Sequence, residues 1–325
     1  VTSEQKERPY AGTRINTLTS DGDTLRREQD NTILKVWLAK ALAPGERAVF
    51  KINFTTHWRM GVQRRMKLFD AWGAKHYDGT QWYPRISVYD RRFGWDTQQH
   101  LGNEFYGDYG TFDVELDFPH EYVVDATGWL QNPQQVMPPD LRARLDIANF
   151  KNKPWDEAPS VITAPDPTKR KTWKYHAENV HDFAFTADPT YRIGEAEWNG
   201  VKCVALAQEP HASGWQNAAD YCAKVIEAHS TSFGMYVYPK MIGADARDGM
   251  EYPMLTLDSG NEPNYRGLFV HEIGHNFSLQ HQSDYDLLGN KTKEYRNGYD
   301  NLHSPIMGVD FDGTVIRKGA VDAVL

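Results

Sequence analysis

The first half of the chain alternates apolar and polar residues with a period of two, which is typical of half-buried β-strands. The clearest case is 112–118, where four apolar side chains point one way and three carboxylates point the other. Shorter alternations at 34–38 and 48–54 flank a Pro-Gly turn and predict a hairpin with one buried face. Further predicted strands lie at 122–126 and 172–186. The polar residues 1–30 predict little order at the start of the chain.

The second half of the chain mixes strands with helices. Residues 213–232 repeat apolar side chains at helical spacing, which predicts an amphipathic helix with Cys222 and His229 near its apolar face. We expect His229 to pack or to cap there rather than to bind a ligand. The predicted strands lie at 201–206, 235–243 and 250–257. A second, buried helix is predicted to carry the residues from 265 onward.

The middle of the chain suggests a division into two domains. Residues 139–150 predict a helix with Pro139 near its start. Residues 152–169 contain four prolines and predict a long surface loop. A boundary near Asp188 and Pro189 would separate a β-rich domain, 1–188, from a mixed domain, 189–325. The fold class predicted for the whole chain is α+β.

Composition narrows the functional classes. The 325 residues are 40% apolar and 13% aromatic, which is enough material for packed cores in two domains. The net charge is −8 and no long basic run occurs, so nucleic acid is not an expected partner. No apolar run approaches the length of a membrane span. The two cysteines are too few for a disulfide framework, and we expect a buried free thiol at Cys222.

The candidate chemistry is concentrated at 271–281, which begins with His-Glu-x-x-His. On a helix, His271 and His275 lie one turn apart on the same face. That spacing lets two imidazoles bind one tetrahedral Zn²⁺, with Glu272 beside the metal as a general base. The sequence therefore predicts a zinc site with Glu272 as its catalytic residue.

Three blocks upstream of this motif resemble the aminopeptidase N family of gluzincins. They are Gln-Trp-Tyr-Pro at 81–84, the run 104–114 and the run 178–183. The resemblance covers roughly 30–277. It implies an N-terminal β-sandwich domain followed by a zincin (thermolysin-like) catalytic domain, and a zinc-dependent peptidase activity on a peptide or protein substrate. Secretion or periplasmic export is a further expectation that comes from the resemblance alone.

The family's exopeptidase motif, Gly-x-Met-Glu-Asn, falls on 248–252. Met250 and Glu251 match it, whereas Asp248 and Tyr252 depart from it. The resemblance implies that this strand lines the cleft and pairs with the substrate backbone. Met250 and Glu251 would then bind substrate, the Glu251 carboxylate taking the free α-ammonium. The alternative is a solvated carboxylate beside a packed tyrosine.

The stretch 271–312 resembles a second family, the metzincins. His271, His275 and His281 have the spacing of His-Glu-x-x-His-x-x-Gly-x-x-His, and Ser-Pro-Ile-Met-Gly at 304–308 resembles the Met-turn that lies under the metal. Ser278 stands where that family has glycine. A residue with a side chain must accept an uncommon backbone conformation there, or the turn must differ.

The two resemblances disagree about the third zinc ligand. Metzincins imply His281. Gluzincins imply Glu294, which follows His275 with 18 residues between them but lacks the usual Asn-Glu or Asp-Glu-Gly context. We favour His281, because the Met-turn accompanies it, and keep Glu294 as the alternative.

We predict a zinc metallopeptidase and favour an aminopeptidase, on the evidence of Glu251 and the long N-terminal resemblance. The alternatives are a metzincin-like endopeptidase, supported by His281 and Met307, and a non-catalytic protein that binds zinc or peptide. The group that helps to stabilise the oxyanion is open. Its candidates by chemistry alone are Tyr285, Tyr295 and Tyr299.

Overall fold

The computed structural model describes residues 12–58, 66–92, 94–100, 107–247, 249–259, 264–281, 283–293 and 307. The strands are β1 (Gly12–Ser20), β2 (Asp23–Thr24), β3 (Arg26–Asp30), β4 (Ile33–Trp37), β5 (Phe50–His57), β6 (Lys67–Ala71), β7 (Ala74–Gly79), β8 (Tyr89–Asp90), β9 (Gly94–Trp95), β10 (Gly110–Pro119), β11 (Val123–Ala126), β12 (Trp129–Leu130), β13 (Arg170–Val180), β14 (Phe185–Asp188), β15 (Tyr191–Trp198), β16 (Val201–Gln208), β17 (Lys240–Asp245), β18 (Met250–Tyr252), β19 (Leu255–Asp258), β20 (Asp284–Tyr285) and β21 (Lys291–Lys293). The helices are α1 (Pro133–Val136), α2 (Pro139–Arg144), α3 (Ala218–Phe233) and α4 (Asn264–Asn276), with 3₁₀ turns at Ile147–Phe150 and Glu209–Gly214.

The first 188 residues form antiparallel sheets as far as they are described. The three larger ones have the strand orders β2-β1-β5, β10-β13-β12 and β11-β14-β7-β6. The prediction for 112–118 is confirmed: in β10 the three carboxylates are exposed, while the apolar residues between them are buried or half-buried. The core of this part is aromatic, with Trp173, Tyr175, Phe183 and Phe185 buried. The β-sandwich arrangement and the division at 188 stay predictions.

The predicted hairpin between 34–38 and 48–54 is wrong in its pairing. Both segments contain strands, but β4 pairs with β3, and β5 pairs with β1. The partner strands come from 1–30, so the expectation of little order is wrong from Gly12 onward. Asn31, at φ 48°, lies in the two-residue connection between β3 and β4, a conformation that asparagine tolerates. Alternation reports a half-buried face, but it does not identify the neighbouring strand.

The second part of the chain is built on a five-stranded sheet of order β15-β16-β17-β19-β18. β16, β17 and β19 are parallel, while β15 and β18 are antiparallel edge strands. One face packs against α3 and α4 through an apolar cluster that includes Cys203, Cys222 and Ile226. Both cysteines are buried free thiols, which confirms the expectation for Cys222. Among the described residues, no helix combines the length and the apolar composition that crossing a bilayer requires.

Several predicted helices and strands begin or end at other residues in the structure. The segment 250–257 is not one strand but a hairpin, β18 and β19. The break falls at Pro253, which has no N–H to donate, and at Met254, whose φ is 64°. The strand predicted at 235–243 begins only at Lys240, and the helix predicted at 213–232 begins at Ala218 after a 3₁₀ turn. The predicted helix 139–150 is α2 followed by a second 3₁₀ turn.

A buried charged cluster lies in the β11-β14-β7-β6 sheet. The ring nitrogens of His76 lie 2.9 Å from Asp188 Oδ2 and 2.9 Å from Asp78 Oδ1, and all three side chains are buried. Burial alone would lower the pKa of His76, but the two carboxylates outweigh it and raise the pKa to about 10. Gln208, at the end of β16, donates to Asp188 over 2.7 Å and so connects the cluster to the five-stranded sheet.

We expect the stability of the protein to fall as the pH rises from neutrality to above 10. Because the folded protein raises the pKa of His76 from 6.5 to about 10, the stabilisation by its ion pairs is complete below pH 6.5 and is lost as the pH rises through about 10. The free energy of unfolding in urea should fall by at least about 1 kcal/mol across this window.

The control for this prediction replaces one histidine at a time. A His76→Gln variant should show a flatter dependence of unfolding free energy on pH between 6.5 and 10 than the parent. His120→Gln, at a half-buried histidine outside this cluster, should keep the slope of the parent. An unchanged slope in His76→Gln would show that the buried cluster is not the source of the pH dependence.

Candidate functional site

Helix α4 carries the His-Glu-x-x-His motif and is held to the sheet by its opposite face. Phe269 and Ile273 are fully buried in the cluster between the helix and the sheet. A Cβ on Gly243 of β17 would lie 2.2 Å from the Phe269 ring, so the absence of a side chain there lets the helix approach the strand closely. His271 and Glu272 are 3% and 5% exposed and His275 is half-buried. The motif therefore lies at the edge of the core, not on an open surface.

A tight turn after α4 brings the third histidine back to the first two. The N–H of Phe277 donates to Gly274 O over 2.9 Å, and the N–H of Ser278 donates to His275 O over 2.9 Å. Ser278 has φ 61°, the left-handed conformation that a residue with a side chain had to accept if this turn formed. Of the two alternatives for Ser278, the uncommon backbone conformation is the one that the structure shows, and the chain returns so that His281 faces the helix.

The three imidazoles converge on one point. One ring nitrogen from each of His271, His275 and His281 lies within 4.8 Å of the others, and Nε2 of His275 lies 3.1 Å from Nε2 of His281. The ring centroids are 4.8 to 5.3 Å apart. Nitrogens on a tetrahedral zinc, at about 2.0–2.1 Å from the ion, are separated by about 3.3 Å. The arrangement fits one Zn²⁺ ion.

The tautomer of the neutral His275 ring is set by the same turn. Its Nδ1 lies 2.9 Å from the carbonyl oxygen of Leu279, which can only accept, so Nδ1 carries the hydrogen. In the neutral ring, Nε2 then presents a lone pair toward His281. A backbone acceptor that orients a histidine in this way is the usual support of a metal ligand.

Met307 packs against the histidine helix. It is buried in the same apolar cluster as Phe269 and Ile273. A Cβ on Gly274 would lie 2.7 Å from its sulfur, so the thioether occupies the space that this glycine leaves. The rest of the Met-turn sequence at 304–308 lies outside the described residues.

The start of β18 lies against the carboxylate of Glu272. A Cβ on Gly249 would lie 2.4 Å from Glu272 Oε1. The strand that follows alternates its side chains: Met250 and Tyr252 are 1% exposed in the core, whereas Glu251 between them is half-buried on the other face. Glu251 is thus placed on the face away from the core, while the side chain of Met250 belongs to the core.

Sequence reasoning did not identify Gly249 or Asn276 as parts of this site. Gly249 lies between Asp248 and Met250, at the position where the family motif allows any residue. The motif therefore does not single out this glycine. His229 donates from Nε2 to Val270 O over 3.0 Å, so it packs α3 against α4 as expected. Burial lowers the pKa of His229.

Several sequence candidates cannot be placed. Glu294, Tyr295 and Tyr299 lie outside the described residues, so the alternative third ligand and two candidate oxyanion donors stay predictions. Tyr285 lies in β20 and is 58% exposed.

Comparison with known proteins identifies the fold. No family model and no curated protein matches the chain. The M1 zinc metallopeptidase from Deinococcus radiodurans has a TM-score of 0.51 and 15% identity over 82% of this chain and 54% of that one. A mutant of that peptidase gives 0.52 and 15% over 81% and 54%, and a mutant bound to the substrate Tyr-Ser-Ala gives 0.50 and 15% over 82% and 54%. The chain spans about half the length of these neighbours.

At this identity the likeness concerns the fold. It agrees with the aminopeptidase N resemblance at that level. The fold shared with the M1 zinc metallopeptidases extends over about four fifths of this chain.

The geometry predicts one bound Zn²⁺ per chain, held by the three histidines. Zinc measured by atomic absorption after dialysis should be near one equivalent in the parent. His281→Ala removes one of three converging nitrogens and should weaken zinc binding by roughly tenfold or more.

The matched controls are His120→Ala, at a half-buried histidine remote from the triad in sequence, and Glu294→Gln. Both should retain the zinc content and affinity of the parent. Loss of zinc in Glu294→Gln with retention in His281→Ala would assign the third ligand to Glu294 instead.

Proposed function

We propose that this chain is a zinc-dependent metallopeptidase and, in the form we favour, an aminopeptidase. The observation that carries the proposal is the convergence of three imidazole nitrogens beside a buried carboxylate, with an edge strand starting against that carboxylate. The fold shared with M1 zinc metallopeptidases supports it, as does the Tyr-Ser-Ala substrate bound by one of those neighbours. The second part of the chain would be the catalytic domain of zincin type.

His271, His275 and His281 would hold the metal, and all three are neutral donors, so the ion would keep its full double charge. When bound, zinc polarises the scissile carbonyl and lowers the pKa of its water. Glu294 as third ligand would reduce that charge and make the water less acidic. We prefer His281, because its Nε2 lies 3.1 Å from Nε2 of His275, which is close to the separation of two nitrogens bound to one zinc ion.

Glu272 would act as general base and then as general acid. It would take a proton from the attacking water and deliver it to the leaving amine. The carboxylate lies between α4 and the start of β18, where the missing side chain of Gly249 leaves room for it. Its neighbouring histidines would be zinc-bound, so the positive charge beside it would favour the ionised form that a base needs.

The strand β18 would bind the peptide. It is one of the two edge strands of the five-stranded sheet over the described residues, and the edge of a sheet can pair with an extended peptide backbone. Glu251 points away from the core and would bind the α-ammonium of the first residue. Recognition of that charge would restrict cleavage to the amino-terminal peptide bond.

An endopeptidase is the second candidate. His281 near the other two histidines and Met307 packed on α4 are features implied by the metzincin resemblance, not by the gluzincin one. Such an enzyme would not need Glu251 to hold a free amino terminus. Export to the periplasm or the exterior stays an expectation of the resemblance.

The base is tested by replacing Glu272 with Gln, which keeps the shape and removes the proton acceptor. We expect peptide hydrolysis to fall by about 10²- to 10⁴-fold with zinc content unchanged. Glu227→Gln, at an exposed carboxylate on α3, should leave hydrolysis unchanged. Unaltered hydrolysis in Glu272→Gln would exclude this residue as the base.

The type of peptidase is tested with two copies of one peptide, one with a free amino terminus and one N-acetylated. For an aminopeptidase, zinc-loaded protein should release the first residue from the free peptide only, as followed by mass spectrometry. Internal cleavage of both would favour the endopeptidase. Cleavage of neither, with zinc bound, would favour a non-catalytic zinc or peptide-binding protein.

A further inference from the structure

The side chain of Asn276, the last residue of α4, is hydrogen-bonded to the hairpin that carries Glu251. Its Oδ1 accepts from the N–H of Met254 over 3.1 Å, and its Nδ2 donates to the carbonyl of Tyr252 over 3.2 Å. The hydroxyl of Tyr236 lies 3.5 Å from the same Oδ1. The side-chain amide thus serves as both acceptor and donor to two backbone groups of the turn between β18 and β19.

The other end of β18 also lies against α4. Gly249 lies directly against the carboxylate of Glu272, which starts the same turn of helix that ends at Asn276. β18 therefore contacts α4 at two points, one before Glu251 and one after it. The position of the Glu251 backbone relative to His275 depends on the hydrogen bonds at one end and on this close packing at the other.

The turn that Asn276 binds is not one that the chain would adopt freely. Met254 has φ 64°, a left-handed backbone conformation that is strained for a residue with a side chain. From the first part of the chain, Thr127 Oγ1 donates to Pro253 O over 3.0 Å. The side chains of Asn276 and Thr127 thus hold a strained turn at which β18 ends.

We propose that Asn276 is a positioning residue for amino-terminus recognition. It holds β18 in register with α4 and so sets the distance from the Glu251 carboxylate to the metal site. This inference rests on the proposed function. Without the amide, Tyr252 O and Met254 N lose this half-buried partner, and β18 can shift along the helix while the three histidines stay in place.

The choice of asparagine follows from the two groups it meets. Aspartate is nearly isosteric and can still accept from Met254 N, but it has no hydrogen to donate to Tyr252 O and would place a carboxylate oxygen against that carbonyl. Asn276→Asp therefore breaks one specific attachment with little change in volume. It tests the register of the strand more cleanly than truncation does.

The experiment compares two hydroxamates that bind zinc through the same group. One is leucine hydroxamate, which has an α-ammonium, and the other is 4-methylpentanoyl hydroxamate, which lacks it. The ratio of their dissociation constants, measured by calorimetry on zinc-loaded full chain, reports recognition of the amine separately from binding to the metal. Glu251→Gln gives the ratio expected when that recognition is lost.

We expect the parent to prefer the amino compound by about tenfold or more, since a hydrogen-bonded charge pair contributes at least this factor. Asn276→Asp and Asn276→Ala should bring the ratio close to that of Glu251→Gln. Both should retain one zinc and bind the compound without the amine as the parent does. Asn149→Asp is the matched control, because Asn149 also donates to a backbone carbonyl, Ala143 O, and should keep the ratio of the parent.

The remaining outcomes separate the two proposals. If the parent shows the preference and the Asn276 variants keep it, the positioning role is wrong while the aminopeptidase proposal stands. If the parent binds both compounds equally, recognition by Glu251 is absent and both proposals fail. If the Asn276 variants lose zinc or both compounds together, Asn276 supports the whole site and not the register of β18.

Discussion

The close packing of α4 on β17 is the contact on which the site depends. The ring of Phe269 lies over Gly243, and only a residue without a side chain permits that approach. Because Phe269 and Ile273 are fully buried on this face, the residues one turn apart on the opposite side are fixed at the edge of the core. The helix backbone that carries the histidine pair thus takes its position from apolar packing, while the hydrogen bond from Nδ1 to Leu279 O orients the ring of His275.

The first part of the chain and the five-stranded sheet are joined by polar contacts in the interior as well as by apolar packing. Lys240, at the start of β17, donates to Asp125 over 3.0 Å and to Ala126 O over 2.8 Å. Burial lowers the pKa of Lys240, and the facing carboxylate opposes that effect. Breaking such a pair leaves a buried charge without its partner, which is costly, so these contacts fix one arrangement of the sheets around the site.

The sequence could predict those features whose determining residues lie close together along the chain. The alternation at 112–118 is local, and the strand formed as predicted. The return of His281 is also local, because its spacing and the Ser278 conformation are both set within seven residues. The partner of β4 is not indicated by alternation. The hairpin at β18 and β19 depends on Asn276 and Thr127, which lie far from it along the chain.

Two residues with side chains adopt left-handed backbone at the site, Ser278 at φ 61° and Met254 at φ 64°. Each lies in the turn that positions one component, since Ser278 returns His281 to the helix and Met254 ends the strand of Glu251. Strain of this kind persists only where surrounding contacts over-determine it, and it concentrates at functional sites. The proposed action of the metal ligands and the edge strand on one bound peptide depends on both turns, because one turn places His281 and the other ends the strand that carries Glu251.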